Sequence, residues 1–333
     1  MTFPISRRTF LTQVGAASTL LVTAQPLRAQ TAQPLPLTRI VLGVPAGSMV
    51  DTISRRVADV LKPDYATNVY VENKTGAGGI LAVRHLISQP ADGRNVYVGV
   101  SSPLTVYPET YKNLAYDPER DLIPVGSLGT FDLALAVGPA VPASVTNLNA
   151  FFDWCKQNPD KATFGSPGEG SMLHFIGSMT GRSAGVDMRH IPYRGPGPAV
   201  IDLVGGMVSA VVVPLSDLTE LAGQGKLRIL GTTGDVRSRF VPTIPTFAEQ
   251  GFGEYAMGVW IAVFVAAGTP APLIEQLTKT LKSALDDAAV RDSMGTQLQA
   301  VQWGEADELK QRIRRERASW KKAVTALNFS VES

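Results

Sequence analysis

From Arg39 onward, apolar runs of strand length alternate with segments of helical spacing, and this alternation limits the fold more than any other feature of the chain. "RIVLGV" precedes a segment with Val50, Ile53, Val57 and Leu61 on one helical face; "TNVYVEN" precedes "GGILAVRHLIS", and "NVYVGVSS" follows. Continuous apolar runs predict strands buried on both faces of a sheet that helices cover. After the strand-like "FDLALAVGP" a second series begins. Its helical segments "LNAFFDWCKQN", "SMLHFIGSMTG" and "PAVIDLVGG" are set among "ATFGSPGEGS", "MRHIPYRG" and "VSAVVVPLSDL", and it runs to "KLRILGTT". Residues 270–329 read as two amphipathic helices, with Asp286 and Asp287 at an exposed helix end. No long repeat and no low-complexity linker separates the two series. The expectation is two α/β domains joined by crossing strands, with the ligand site in the cleft between them.

The 333 residues are enough for two such cores. A formal net charge of +2 and 18% charged residues give no bias toward nucleic acid. Cys155 is the sole cysteine, which excludes an intramolecular disulfide and any multi-cysteine metal site; beside Phe152 and Trp154 it reads as a small buried apolar group. His85, His174 and His190 lack metal-ligand spacing, so neither a metal nor a cofactor is expected. The N-terminus reads as a targeting segment over residues 1–29. Arg7 and Arg8 precede a mildly apolar run and small residues suited to cleavage near Ala24 or Ala29. The apolar core from Val14 to Ala24 is interrupted by Gly15, Ser18 and Thr19 and is well short of the ~20 residues of a spanning helix. The twin arginines point to export by the Tat route, and the mature chain is expected free in the periplasm.

Two turns stand out. "VPAGSMVD" lies between an apolar run and a helix start, where free backbone N–H groups and a positive dipole end favour an anion. It has neither the lysine of a phosphate-binding loop nor the spacing of a dinucleotide fingerprint. Ser48 and Asp51 have the spacing of a capping box, so a plain capped helix accounts for the motif equally. "FGSPGEGSMLH" has the same context and repeats the tripeptide Gly-Ser-Met at Gly170, Ser171 and Met172. Facing one cleft, two such turns would clamp a small anion, and a carboxylate suits them without any lysine. Ser171 and His174 also admit a serine hydrolase, but no GxSxG is present and no third group is evident to orient the histidine.

Seven blocks in unbroken order then resemble a family: "YVENKTGAGGILAVRHL", "AYDPERDLIPVG", "GSPGEGSMLH", "HIPYRGPGPAVIDLVGGMV", "GKLRILGTTGDVRS", "VPTIPTFAEQGF" and "VFVAAGTPAPLIEQL". Together they are similar to the substrate-binding proteins of tripartite tricarboxylate transporters, the Bug or TctC family. The resemblance implies a type II periplasmic-binding-protein fold, with domain 1 formed by 38–136 plus 260–333 and domain 2 by 137–259. It implies a monomer that closes on a small organic acid and delivers it to membrane subunits of the transporter, with no catalysis. A sensor subunit for a membrane kinase would use the same pocket.

Carried over, the ligand carboxylate is held by Ala46, Gly47, Ser48, Met49 and Asp51 and by Ser166, Gly168, Gly170, Ser171 and His174, with Asp51 orienting the turn or a water molecule rather than meeting the anion. Ser101, Ser102 and Thr105 are candidate contacts from domain 1. Arg194 is either a countercharge to a distal acid or a surface salt-bridge partner, and Asp217 is a further candidate contact. Met49, Met172 and Phe131 would be apolar walls. The chain departs from the family pattern at Ser48, at Val50 and at Val213, where relatives carry glycine, threonine and aspartate. These changes disfavour amino-acid and hydroxy-acid ligands and shift the expectation toward a less polar mono- or dicarboxylate, aromatic acids included.

Overall fold

The computed structural model describes residues 33–255, 257–327 and 329–331. The leader expected over residues 1–29, with its twin arginines and cleavage positions, lies outside the described residues. The chain begins with β1 (Leu35–Leu42), β2 (Ala66–Asn73), β3 (Asn95–Val100) and β4 (Leu122–Phe131). It passes into a second sheet as β5 (Leu133–Val137), β6 (Thr163–Pro167), β7 (Arg189–Tyr193), β8 (Ala210–Pro214) and β9 (Arg228–Thr232), and returns as β10 (Val259–Ala266) and β11 (Ala300–Glu305). The first sheet has the order β11-β4-β10-β3-β1-β2 and the second β7-β6-β8-β5-β9.

Strands joined through helices pair in parallel, β1 with β2 and β3, and β6 with β7 and β8, as crossover connections require. Strands that cross between the sheets pair antiparallel: β10 lies between β3 and β4, and β5 between β8 and β9. Every residue of "VWIAVFVA" in β10 and of "LALAV" in β5 is buried, which is why these runs are apolar without alternation. The helix Met49–Val60 after β1 turns Ile53 and Val57 inward, and the helix Met172–Ser183 after β6 does the same with Phe175 and Ile176. Each helix start thus stands at the C-terminal end of its sheet, where open α/β sheets bind ligands.

The change of sheet falls at Asp132, where "TFDLALAV" carries one strand into the next with no turn residue to mark it. One sequence expectation needs correction: the closing stretch is not two helices. It holds helices Ala271–Asp286, Ala288–Gly295 and Ala306–Leu327, with β11 before the last. The Asp287 carboxylate accepts from the amides of Ala289 and Val290, ending one helix and starting the next. β11 is an edge strand made by backbone pairing with β4, so it carries no continuous apolar run to reveal it.

Candidate functional site

Both glycine-serine turns have one geometry. Ser48 adopts extended backbone as the N-cap; its Oγ donates to Pro45 O at 2.8 Å and accepts from the Asp51 amide at 3.4 Å. Asp51 Oδ2 accepts from the Gly47 amide at 2.9 Å. In the second turn Ser171 Oγ donates to Pro167 O at 2.8 Å and accepts from the His174 amide at 3.3 Å, while His174 Nδ1 accepts from the Gly170 amide at 3.1 Å. His174 therefore does in the second turn what Asp51 does in the first. The repeated Gly-Ser-Met is a repeated capping device. Its cost to the anion clamp expected from sequence is direct: both serine hydroxyls and the amides of Gly47 and Gly170 are already engaged within the protein.

Asp51 is further held by Arg55 and Asn73. Burial acts to raise its pKa, but the donors Arg55, Gly47 N–H and Asn73 together bring it below the usual carboxylate value. His174 stacks on His190 with ring centroids 3.9 Å apart. Burial, joined by the charge of Arg182, lowers the His174 pKa to about 4; burial and then His174 lower that of His190 to about 3. Both rings are neutral near pH 7, so neither supplies a cation. Ser171 Oγ meets the His174 amide rather than its imidazole, and His174 Nδ1 is committed to Gly170. No relay forms between Ser171 and His174, and the hydrolase reading built on that pair is overturned on this geometry.

A cleft of about 610 Å³ opens between the segments that follow β1, β2 and β3 and those that follow β6 and β7. The two sides come close. A Cβ on Gly168 would lie 3.1 Å from Tyr107 Oη and 3.4 Å from Gly78 Cα, and one on Gly195 would lie 2.9 Å from Pro45 Cγ. The Met172 amide donates to Ser102 Oγ at 3.2 Å, and Tyr111 Oη donates to Glu169 O at 3.1 Å. The loop after β2 is wound through positive φ at Gly76, Ala77, Gly78 and Gly79, and Ala77, at 45°, is the one described non-glycine residue in that region. Strained backbone of this kind is kept where the chain is shaped for a ligand. Gly76, Ala77, Gly78 and Leu173 belong to this lining, and their amides meet no protein acceptor among the described residues. Arg194 also lines the cleft and has no acidic partner among the described residues.

Of the residues singled out in the sequence, Ser102, Gly168, Ser171 and Arg194 line this cleft. Gly47, Met49 and Asp217 line a second cavity of about 520 Å³, on the far side of the first turn, with Thr52, Glu220 and Lys226. Ala46 is exposed between the two and Ser48 is in the cap. The structure does not bring the others to either cavity. Thr105 Oγ1 donates to Ser101 O, and Ser101 Oγ faces Met172 Sδ at 3.9 Å, all within the interior. Ser166 is buried against His190 Nε2 at 2.9 Å, Gly170 packs on Tyr111, Thr110 and Val331, and Phe131 is buried in the first core. Residues at a helix start alternate between facing the cleft and facing the sheet, and sequence position alone does not separate the two sets. Sequence reasoning missed the loop from Thr75 to Gly78, Tyr107, Tyr111, Leu173 and Tyr193. Only the glycine cluster in "KTGAGG" offered a signal.

Asp217 Oδ2 is buried with no partner among the described residues, and burial raises its pKa to about 6. The folded state then holds this proton between about pH 4 and 6 where the unfolded state releases it, so stability present below pH 4 is lost as pH rises through 6. Asp217→Asn is expected to stabilise the fold at pH 8 by on the order of 2 kcal/mol and to change little at pH 4. Urea unfolding of both chains at the two pH values measures this; an equal effect at both would mean that the carboxylate is not desolvated.

The sequence profile of the family described as "Tripartite tricarboxylate transporter family receptor" matches residues 53–329. Protein BugT of Bordetella pertussis is 32% identical over 275 residues, covering 82% of this chain and 83% of that one. Among solved structures, one titled as that of a periplasmic transporter superposes with a TM-score of 0.82 at 29% identity, covering 88% of this chain and 98% of that one. MatC from Rhodopseudomonas palustris with bound malate superposes at 0.78 and 25% identity, covering 86% and 98%. The fold is that of the periplasmic binding proteins, with two α/β bodies. The chain belongs to the receptors of the tripartite tricarboxylate transporter family, the TctC or Bug proteins, which are solute-binding proteins and not enzymes.

Proposed function

We propose that this receptor captures a small organic carboxylate in the 610 Å³ cleft and presents it, as a closed monomer, to the membrane subunits of a tripartite tricarboxylate-type transporter. The observation that carries the reading is the donor set of that cleft: among the described residues, backbone amides without protein acceptors, those of Gly76, Ala77, Gly78 and Leu173 included, and an arginine without an acidic partner. A carboxylate, which only accepts hydrogen bonds, satisfies them. The malate bound by the relative MatC supports the same chemistry. The leader over residues 1–29 is removed on export by the Tat route, and the receptor works in the periplasm. A thermal-unfolding screen against organic acids tests the binding. A ligand at 100 times its dissociation constant should add about 2.7 kcal/mol of stability. Failure of every acid to raise the midpoint, with the chain folded and monomeric, would count against the cleft as a carboxylate site.

A further inference from the structure

Tyr107, Tyr111 and Tyr193 belong to the cleft lining, and none has a proton to offer a ligand. Tyr107 Oη donates to Gly78 O at 3.0 Å, Tyr111 Oη to Glu169 O at 3.1 Å and Tyr193 Oη to Asp202 Oδ2 at 2.7 Å. Burial raises the pKa of all three phenols, so they stay neutral. A carboxylate needs donors, and a phenol has one. The partly exposed Tyr111 and Tyr193 therefore offer ring surface and no proton, while Tyr107 is buried and packs edge to face with Tyr111 at 5.1 Å. Leu173 and Val100 extend the same apolar wall. The charged side chains of the lining are Arg194 and Glu169, which sum to zero. A second carboxylate would find no second cation and would meet Glu169.

Resting on the cleft assignment above, we infer that the ligand is an aromatic monocarboxylate: one carboxylate held by the free amides and Arg194, and a flat ring against Tyr111, Tyr193 and Leu173. Isothermal titration of the mature chain with benzoate, phenylacetate and 3-phenylpropanoate, beside adipate, malate, citrate and phenylalanine, tests it. At least one aryl acid should bind tenfold or more tightly than every acid of the second group. Tightest binding of a dicarboxylate, a tricarboxylate or the zwitterion would overturn the inference while leaving the cleft as a carboxylate site; silence of all seven would overturn both. Two variants probe the wall. Leu173→Asn should weaken the aryl acid at least tenfold, and Tyr193→Phe should leave it within about threefold, because its hydroxyl is spent on Asp202. A tenfold loss in Tyr193→Phe would mean that the phenol contacts the acid, and the inference would fall.

Discussion

Gly168→Val is expected to bind the receptor's ligand at least 100-fold more weakly than the native chain, a loss of about 2.7 kcal/mol. Two effects combine. Gly168 has φ +75°, a region in which a β-branched residue is strained by roughly 1–2 kcal/mol. The larger effect is steric. The added Cβ would sit 3.1 Å from Tyr107 Oη and 3.4 Å from Gly78 Cα, both on the opposite side of the cleft, and the γ carbons of valine reach further. Closure over a ligand then requires the two sides to stand apart, and a binding protein whose lobes cannot meet loses half of its contacts. Gly168→Ala separates the effects, since its Cβ needs only a few tenths of an ångström of relief; a loss near tenfold is expected. Calorimetric titration of both variants, with small-angle scattering to follow closure, gives the answer. Native affinity in Gly168→Val would show that ligand capture does not use this contact.

Trp260→Ala should destabilise the fold by about 3–5 kcal/mol. Trp260 is fully buried in β10, the strand that lies between β3 and β4, and its ring packs near Phe264. Its Nε1 donates to both carboxylate oxygens of Glu316, at 3.1 and 3.0 Å. Arg312 completes the group, donating to Glu316 at 2.7 Å and to Gly258 O at 3.2 Å. Truncation empties a cavity in the first core and also removes the donor that links β10 to the last helix, so the transfer and hydrogen-bond losses add. Trp260→Phe keeps most of the ring volume and loses only the donor, and should cost about 1–2 kcal/mol. The midpoint of urea unfolding at unchanged slope measures each. A loss under 1 kcal/mol for the alanine variant would show that the core closes over the gap.

The legibility of the site varied with the range of the interaction. The Ser48-x-x-Asp51 cap was readable because its donors and acceptors lie within one helical turn. That His174 plays the part of Asp51 was not, since a histidine three residues after a serine has no fixed role until its ring is placed on His190 and Phe164. The glycine-serine turns are legible on the chain, but that each serine hydroxyl donates to a carbonyl of its own turn, Pro45 O or Pro167 O, is not. Tyr107 and Tyr111 were passed over because the carbonyls that hold their hydroxyls, Gly78 and Glu169, are remote in sequence. β11 escaped notice for the same reason, since its partner β4 lies far upstream.

The amino-acid order alone determined the two α/β series, the helix starts at Ser48 and Ser171, and the motif blocks that mark the family, because periodicity and capping act over a few residues. Tertiary structure decided which of those turn residues face the cleft, how the first turn divides between two cavities, and why Tyr111 and Tyr193 offer rings instead of hydroxyl protons. Those outcomes depend on contacts between segments about thirty to sixty residues apart, whose geometry exists only once both sheets have packed.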